Sequence, residues 1–126
     1  MNLPDLMEKY YINLIVIYGS RSNQTSTDLS DFDIAILAKN SLDLNTLSQL
    51  RAALAKEFNF PEDKVDLVEI IKTSPLLQSQ VAKTGKVLIG READFLKFRI
   101  LAWRRYLDTA KLRRLREEYL RKTYAQ

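Results

Sequence analysis

The segment Ile12–Tyr18 limits the possible folds of this chain more than any other feature of the sequence. It reads Ile-Asn-Leu-Ile-Val-Ile-Tyr, is rich in β-branched residues and contains one polar residue before it ends at Gly19. Such a run is typical of a central strand that is buried on both faces. A strand of this kind needs a covering layer on each side, so we expect a small, mainly buried sheet in the α/β or α+β class.

Hydrophobic periodicity predicts the remaining elements. Strands are predicted at Phe32–Ala38, at 65–71 and, as a short element, at 86–89. Helices are predicted at 3–11, 41–58, 74–84 and 92–124. Gly85 is expected to cap the third helix at its carboxyl end. Strands that alternate with helices in this way support the layered class.

The last predicted helix carries a regular apolar stripe among many Arg and Lys residues. Its members follow one another at spacings of four, three, four and three: Leu96, Ile100, Trp103, Leu107 and Ala110. Because this spacing places side chains on one face of a helix, we expect the stripe, with Tyr106, to lie in the core. The stripe shifts further along the chain, which predicts a bend or a second helix near residues 108–112.

The length and the missing residue types exclude several classes of protein. At 126 residues the chain is expected to form one domain with its own core. It contains no Cys and no His, which excludes disulfides, thiol nucleophiles, serine-type triads and imidazole metal ligands. Any chemistry therefore has to depend on carboxylates, hydroxyls, amides, Lys or Arg. The acidic amino-terminal residues and the absence of a long apolar run predict no signal peptide, no membrane span and a cytoplasmic location.

The charge of the chain is divided unevenly at Gly90. Residues 1–90 hold nine Lys or Arg against eleven Asp or Glu, and residues 91–126 hold eleven against five, a net charge of +6. We therefore expect a core at 1–90 and a long basic helical extension of the same domain at 91–126. A basic extension can be a solvated helix face or can bind an acidic partner surface. Specific nucleic-acid binding is disfavoured because no recognised module accompanies the charge.

Two acidic residues begin the second predicted strand, in the sequence Asp31-Phe32-Asp33. Side chains alternate between the faces of a strand, so Asp31 and Asp33 point to one side while Phe32 points into the opposite layer. Two adjacent carboxylates repel each other unless a cation neutralises them. Mg²⁺ is the hard cation that such groups bind, together with phosphate oxygens and water. We therefore predict that both residues are metal ligands.

A third carboxylate lies inside the third predicted strand. Asp66 is flanked by apolar residues, and its strand could lie beside the one that bears the acidic pair. The three carboxylates would then complete a site for two metal ions roughly 3.5 to 4 Å apart. Glu69 points to the other face of a regular strand, so we expect it at the surface or against a partner.

The turn after the first strand is a candidate phosphate site. Gly19 has no side chain to keep phosphate oxygens away from the backbone, and the hydroxyl and amide of Ser20 can donate to them. Arg21 adds a cation that could contact the same phosphates or pair with a nearby acidic residue. We predict that Gly19, Ser20 and Arg21 hold a phosphate-bearing ligand.

Together these residues resemble a known family. A Gly-Ser pair, ten intervening residues, an Asp-x-Asp pair and a later strand Asp are similar to the motif of the minimal nucleotidyltransferases of the DNA polymerase beta-like superfamily. In this chain the motif comprises Gly19, Ser20, Asp31, Asp33 and Asp66. The chain also resembles the MntA-type antitoxins of HEPN/MNT toxin-antitoxin pairs. Members often have Gly in the loop where this chain has Arg-Ser-Asn-Gln, although Asn tolerates a positive φ better than most residues.

The resemblance implies a nucleotidyltransferase fold, with a small mixed sheet flanked by helices, and transfer of AMP from ATP with release of pyrophosphate. MntA-type members add AMP to a tyrosine hydroxyl of a HEPN ribonuclease toxin and so neutralise it. Carried over to this chain, Gly19 and Ser20 would hold the triphosphate of ATP. Asp31 and Asp33 would bind both Mg²⁺ ions, and Asp66 would bind the catalytic ion and help to deprotonate the acceptor hydroxyl.

Two other functions fit parts of the sequence. A non-catalytic antitoxin could block its toxin by binding through the basic helical segment. A nucleotidyltransferase for RNA or a small molecule could use the same motif, but the chain lacks the additional domain that such substrates generally require. We expect no membrane partner, and either a homo-oligomer or a hetero-oligomer is compatible with the sequence.

Overall fold

The computed structural model describes residues 2–19 and 31–124, which form four strands and five α-helices. The strands are β1 (Ile12–Tyr18), β2 (Phe32–Ala38), β3 (Val65–Glu69) and β4 (Lys86–Gly90). The helices are α1 (Leu3–Lys9), α2 (Leu44–Phe58), α3 (Pro75–Thr84), α4 (Glu92–Asp108) and α5 (Ala110–Tyr124). Short 3₁₀ turns at Glu62–Lys64 and Ile70–Lys72 flank β3.

The four strands form one mixed sheet in the order β3-β2-β1-β4. β1 is antiparallel to its neighbours β2 and β4, whereas β2 and β3 run parallel. Parallel neighbours require a crossover connection, which α2 supplies. The predictions of a mixed sheet flanked by helices and of β1 as a central strand are confirmed.

Helices cover both faces of the sheet and enclose two clusters of buried side chains. On one face α1 and α2 pack against the strands, with Ile34 and Leu50 in the first cluster. On the other face α3 and α4 pack against the strands, with Ala35, Val81 and Phe95 in the second cluster. Ile34 and Ala35 are consecutive residues of β2, so the alternation of the strand assigns its side chains to the two layers.

Side-chain caps set the first residues of α2 and α3. The Asp43 carboxylate accepts a hydrogen bond of 2.7 Å from the Thr46 amide, so α2 begins after Asp43 rather than at residue 41. Ser74 caps α3 as predicted, with its hydroxyl accepting from the Leu77 amide at 3.2 Å. At the other end of α2, Asn59 adopts a left-handed conformation with φ of 57° and ends the helix before Pro61.

Gly85 follows α3 as predicted, but glycine is needed there for space rather than for a left-handed conformation. Its φ is −70°, an extended conformation that leads directly into β4. A Cβ atom at this position would lie 2.4 Å from the Val81 carbonyl oxygen and 2.6 Å from Val16 Cγ1. The missing side chain therefore lets the end of α3 lie directly against β1.

α4 contacts the sheet through a different stripe from the predicted one. Its buried residues are Phe95, Phe98 and Ala102. The residues of the predicted core stripe from Leu96 to Leu107 are instead between 51% and 60% exposed. The prediction was wrong because α4 carries two apolar stripes, and a regular spacing does not show which of them faces the sheet.

α4 and α5 meet at Thr109, within the region where a bend was predicted. The Arg113 guanidinium lies 3.9 Å from the centroid of the Tyr106 ring and also donates to the Tyr106 carbonyl oxygen, which holds the junction together. None of the α5 residues from Ala110 to Tyr124 is buried. Within the described part of the chain, no helix combines the length and the apolar character that a membrane crossing requires.

Candidate active site

The first component of the candidate site is the glycine at the end of β1. Gly19 has a φ of +76°, a left-handed conformation that residues with a side chain rarely adopt. A Cβ atom at this position would lie 3.0 Å from Asp33 Oδ2. The backbone of the turn therefore passes directly beside a carboxylate of the neighbouring strand, which is an arrangement that only glycine permits without strain.

The second component is a pair of carboxylates on adjacent parallel strands. Asp33 of β2 and Asp66 of β3 stand at equal register, so their side chains emerge on the same face of the sheet. Asp31 directly precedes β2 and is exposed. Asp33 is partly buried, and Asp66 is exposed at the edge of the sheet. The structure therefore places Asp66 beside Asp33, as the sequence predicted for the two strands.

The electrostatics of the site show an excess of negative charge. Burial raises the pKa of the Asp33 carboxyl, and repulsion from Asp66 and then Asp31 raises this pKa further. Burial also raises the pKa of Tyr18 to about 12, with smaller contributions from Asp33 and Asp66. The three carboxylates therefore interact through space, and the site would bind a cation more favourably than it tolerates a further anion.

The donor set fits a hard divalent cation. Carboxylate oxygens are preferred ligands of Mg²⁺, which usually completes its octahedral shell with substrate phosphates and water. Asp33 and Asp66 can present oxygens to a common ion from equal positions on neighbouring strands. Within residues 2–19 and 31–124, however, no three acidic side chains already form a cluster that could hold a metal ion. Two carboxylates, completed by phosphate oxygens and water, are sufficient for a Mg²⁺ ion.

Two of the predicted phosphate-binding residues, Ser20 and Arg21, lie outside the described residues. Gly19 is described, and its amide donates a hydrogen bond of 3.2 Å to the hydroxyl oxygen of Thr84, the last residue of α3. That hydroxyl donates in turn to the Gln80 carbonyl oxygen at 2.8 Å. Gly19, at the end of β1, is thus attached to α3.

Sequence reasoning missed two neighbours of the site. Tyr18 pairs directly with Asp33 across the antiparallel strands and is buried on the same face. Tyr18 directly precedes the Gly-Ser pair in the sequence, and this position could have indicated that it lies near the site. Thr84 lies 65 residues from Gly19 in the sequence, and nothing in its local sequence indicates the contact.

Glu69, at the end of β3, does not lie at the surface or against a partner, so that expectation is wrong. It is 7% exposed. One carboxylate oxygen accepts from the Leu42 amide at 3.0 Å, and the other lies 3.0 Å from Lys72 Nζ. Glu69 points away from the Asp66 face and fixes the segment before α2 against the end of β3, which is a structural role.

Comparison with known proteins places this geometry in context. The sequence model of the family described as polymerase beta, nucleotidyltransferase matches residues 2–94. The protein adenylyltransferase MntA of Shewanella oneidensis is 37% identical over 93 residues, which cover 74% of this chain and 60% of that protein. The protein of the same name from Aphanizomenon flos-aquae is 32% identical over 101 residues, which cover 72% of this chain and 67% of that protein. The chain thus spans less than two thirds of the length of the Shewanella relative.

Solved structures show the same fold. A crystal structure of a toxin-antitoxin with AMP-PNP contains a chain that superposes with a TM-score of 0.73 at 29% identity, covering 93% of this chain and 94% of that one. A second structure, of a tri-AMPylated Shewanella oneidensis HEPN toxin in complex with an MNT antitoxin, gives a TM-score of 0.66 at 28% identity and covers 93% and 92%. The superposed part of the chain is longer than residues 2–94, which the family model matches.

Proposed function

This chain belongs to the polymerase beta nucleotidyltransferase family, and we propose that it is an antitoxin adenylyltransferase that transfers AMP from ATP to a tyrosine hydroxyl of a HEPN toxin. The observation that carries the proposal is the equal register of Asp33 and Asp66 on parallel strands, beside the glycine turn at Gly19. This is the arrangement that the family motif requires. The relatives named above are protein adenylyltransferases, which supports a protein as the acceptor.

The residues of the chain have separate tasks in this reaction. The acceptor oxygen attacks the α-phosphorus of ATP, the bond from that phosphorus to the bridging oxygen breaks, and pyrophosphate leaves. Asp66 helps to take the proton of the acceptor hydroxyl. The backbone at Gly19 and the Ser20 hydroxyl hold the triphosphate, and Arg21 contacts its oxygens. Asp31, Asp33 and Asp66 would hold two Mg²⁺ ions, which when bound neutralise phosphate charge and lower the pKa of the attacking hydroxyl.

The nucleotide and the partner are inferred from different relatives. A solved toxin-antitoxin was crystallised with AMP-PNP, which supports ATP as the donor. Another solved structure holds a tri-AMPylated HEPN toxin with its MNT antitoxin, which supports a HEPN toxin as the acceptor. Because the motif residues of this chain match those of the family, the same reaction is proposed here.

The test is direct transfer to the toxin. A HEPN protein from the same genome, sought first among the genes adjacent to that of this chain, would be incubated with the chain, ATP and Mg²⁺, and its intact mass measured. We expect a gain of one or more adenylyl groups, located on tyrosine by peptide mapping. The Asp33→Asn variant should give no gain, and Asp63→Asn, which changes an exposed acidic residue outside the site, should behave as the native chain does. No gain in mass with the native chain would contradict the proposal.

A second candidate function is inhibition of the toxin by binding alone. The exposed apolar side chains of α4 and the net charge of +6 in residues 91–126 favour it, since they provide a surface for a partner. Growth of cells that express the toxin distinguishes the two functions. Protection that is lost in Asp33→Asn indicates catalysis, whereas protection that survives this change indicates steric inhibition.

The remaining expectations stay predictions. A nucleotidyltransferase for RNA or a small molecule is less favoured because the relatives and solved structures described above are protein adenylyltransferases and toxin-antitoxin complexes. The division into a core at 1–90 and an extension at 91–126, the cytoplasmic location and the oligomeric state are also predictions. Purification with the cognate toxin and measurement of the mass of the complex would establish the stoichiometry.

A further inference from the structure

A groove lies between α3 and α4, outside the residues that the proposed chemistry uses. It has a volume of about 710 Å³. Its apolar walls include Leu76 from α3 and Leu96, Ile100 and Trp103 from α4. These four side chains are between 50% and 60% exposed. Contiguous apolar surfaces of this kind on a folded chain usually mark a contact with another molecule.

The groove lies on the same side of the sheet as the candidate active site. α3 and α4 cover the face on which Tyr18 and Ala35 are buried, and Asp33 emerges on that face too. Gln80 lines the groove, and its carbonyl oxygen accepts from the Thr84 hydroxyl. The same hydroxyl oxygen accepts from the Gly19 amide. Two hydrogen bonds through Thr84 therefore connect a residue of the groove to Gly19, which borders Asp33.

The charge around the groove restricts its occupant. Among the described residues that line it, the charged side chains are Lys83 and Arg99, both cationic. The segment 91–126, which contains α4 and α5, has a net charge of +6. A second copy that packed groove against groove would bring the same positive charge to the interface, which is unfavourable. An acidic partner would instead be attracted and oriented by this charge.

From these observations we propose that the groove between α3 and α4 is the docking surface for the protein substrate, which inserts an amphipathic helix with an apolar face and acidic flanks. A groove between two helices accepts such a helix through side chains at spacings of three and four residues. Trp103 and Arg99 are of the residue types that most often contribute strongly to binding. The identity of the partner as a HEPN toxin rests on the proposed function, whereas the site and the chemistry of the occupant rest on the groove.

The chain contains one tryptophan, and it lies in the groove, so the proposal can be tested with a single spectroscopic probe. The native chain would be labelled with 5-fluorotryptophan and mixed with the same HEPN protein, unlabelled, that is used to test the proposed function. We expect the one ¹⁹F signal to shift as the complex forms, because docking removes water from the 60% exposed Trp103 side chain. Intact mass with ATP and Mg²⁺ would be measured on the same samples.

Substitutions in the groove provide the second measurement. Ile100→Asp places a negative charge at an exposed position, so the fold should be retained, and it should weaken binding of the toxin by about tenfold or more. The matched control is Leu44→Asp, at an 84% exposed position at the start of α2, and it should change the affinity by less than about twofold, as surface positions outside an interface do. Circular dichroism would verify that both variants are folded.

The outcomes separate this proposal from the proposed function. A shifted ¹⁹F signal without adenylylation would support docking and contradict the enzymatic function. If the toxin is adenylylated, the ¹⁹F signal does not shift and Ile100→Asp binds the toxin with native affinity, docking in the groove would be contradicted and the enzymatic function would not. A shift that depends only on the concentration of the chain would show that a second copy fills the groove, and a shift that requires RNA or lipid vesicles would show another occupant. Occupation by a second copy, by RNA or by lipid would overturn the proposal, as would the absence of any complex with the toxin.

Discussion

At the scale of single residues, Asp33 has a proposed catalytic role, and its charge lowers the stability of the folded chain. Asp33 is partly buried beside Asp66, and its raised pKa shows that its charged form is disfavoured in the folded chain. Such a residue is retained when a function needs the charge and is a poor choice for stability alone. The same reasoning applies to Gly19, whose left-handed backbone leaves space for the Asp33 carboxylate.

The cost at Asp33 predicts a pH dependence of stability. Because the pKa of Asp33 is raised, the folded state holds its proton more tightly than the unfolded state. The contribution of this residue to the free energy of unfolding is therefore fully present below the usual pKa of an Asp and is lost as the pH rises through the raised value. Without divalent ions, Asp33→Asn should raise the Tm by a few degrees at pH 7 and have less effect at pH 4.

Thermal unfolding at the two pH values checks this prediction, with Asp63→Asn as the control for removal of an exposed charge. The same Asp33 variant should lose roughly a thousandfold or more in adenylyl transfer, since bound metal ions supply several kcal/mol of transition-state stabilisation. A variant that is both less stable at pH 7 and still active would show that Asp33 is a structural residue.

At the scale of elements, the end of α3 supports the turn after β1. The Thr84 hydroxyl oxygen accepts from the Gly19 amide at 3.2 Å, across the boundary between helix and sheet. Thr84→Val removes this acceptor with little change in shape, so we expect a loss of about 1 kcal/mol in the free energy of unfolding. We also expect a weaker affinity for ATP, because Gly19, which is proposed to hold the phosphates, is then less firmly fixed.

Thr84→Ser is the matched control, since it keeps the hydroxyl. Calorimetric titration with the ATP analogue AMP-PNP in the presence of Mg²⁺ compares the two variants. Thr84→Ser should bind AMP-PNP with the native affinity, and Thr84→Val should bind it more weakly. Equal affinities in both variants would mean that the hydrogen bond to Gly19 has no part in nucleotide binding.

The elements also show what the sequence could and could not predict. The bounds of β1 and β2 were predicted because apolar runs with sharp polar ends leave little choice, and the cap at Ser74 has a local signature. The inner face of α4 was not predicted, because its two apolar stripes are equivalent until the sheet selects one. The burial of Glu69 at the end of β3 was also not predicted, because its carboxylate accepts from the amide of Leu42, which is 27 residues away in the sequence.

For the candidate site, the sequence identified Asp33 and Asp66, and the strand register placed them together. That register depends on the parallel pairing of β2 and β3 through α2, which only the whole chain determines. Thr84 and Tyr18 were missed because their contacts are set by the packing of α3 and β1 rather than by a motif.

At the scale of the whole molecule, the proposed chemistry and the proposed docking surface are separate but adjacent. Gly19 and the carboxylates of Asp33 and Asp66 lie at the same end of the strands, in the part of the chain that has a net charge of −2. The groove and the basic α4 and α5 follow it in sequence and cover the same face of the sheet. This arrangement would let a protein substrate bind through a broad surface while one of its side chains reaches the carboxylates.

The most direct test of the central claim, that Asp33 and Asp66 share a metal ion at the edge of the sheet, is a crystal structure of the chain with AMP-PNP and Mn²⁺ in place of Mg²⁺. Anomalous diffraction locates Mn²⁺ independently of the protein atoms. We predict a peak roughly 2.1 Å from a carboxylate oxygen of both residues, the distance typical of octahedral Mg²⁺ sites. A nucleotide bound with Mn²⁺ that contacts neither residue, or that leaves Asp66 without a metal contact, would contradict the account.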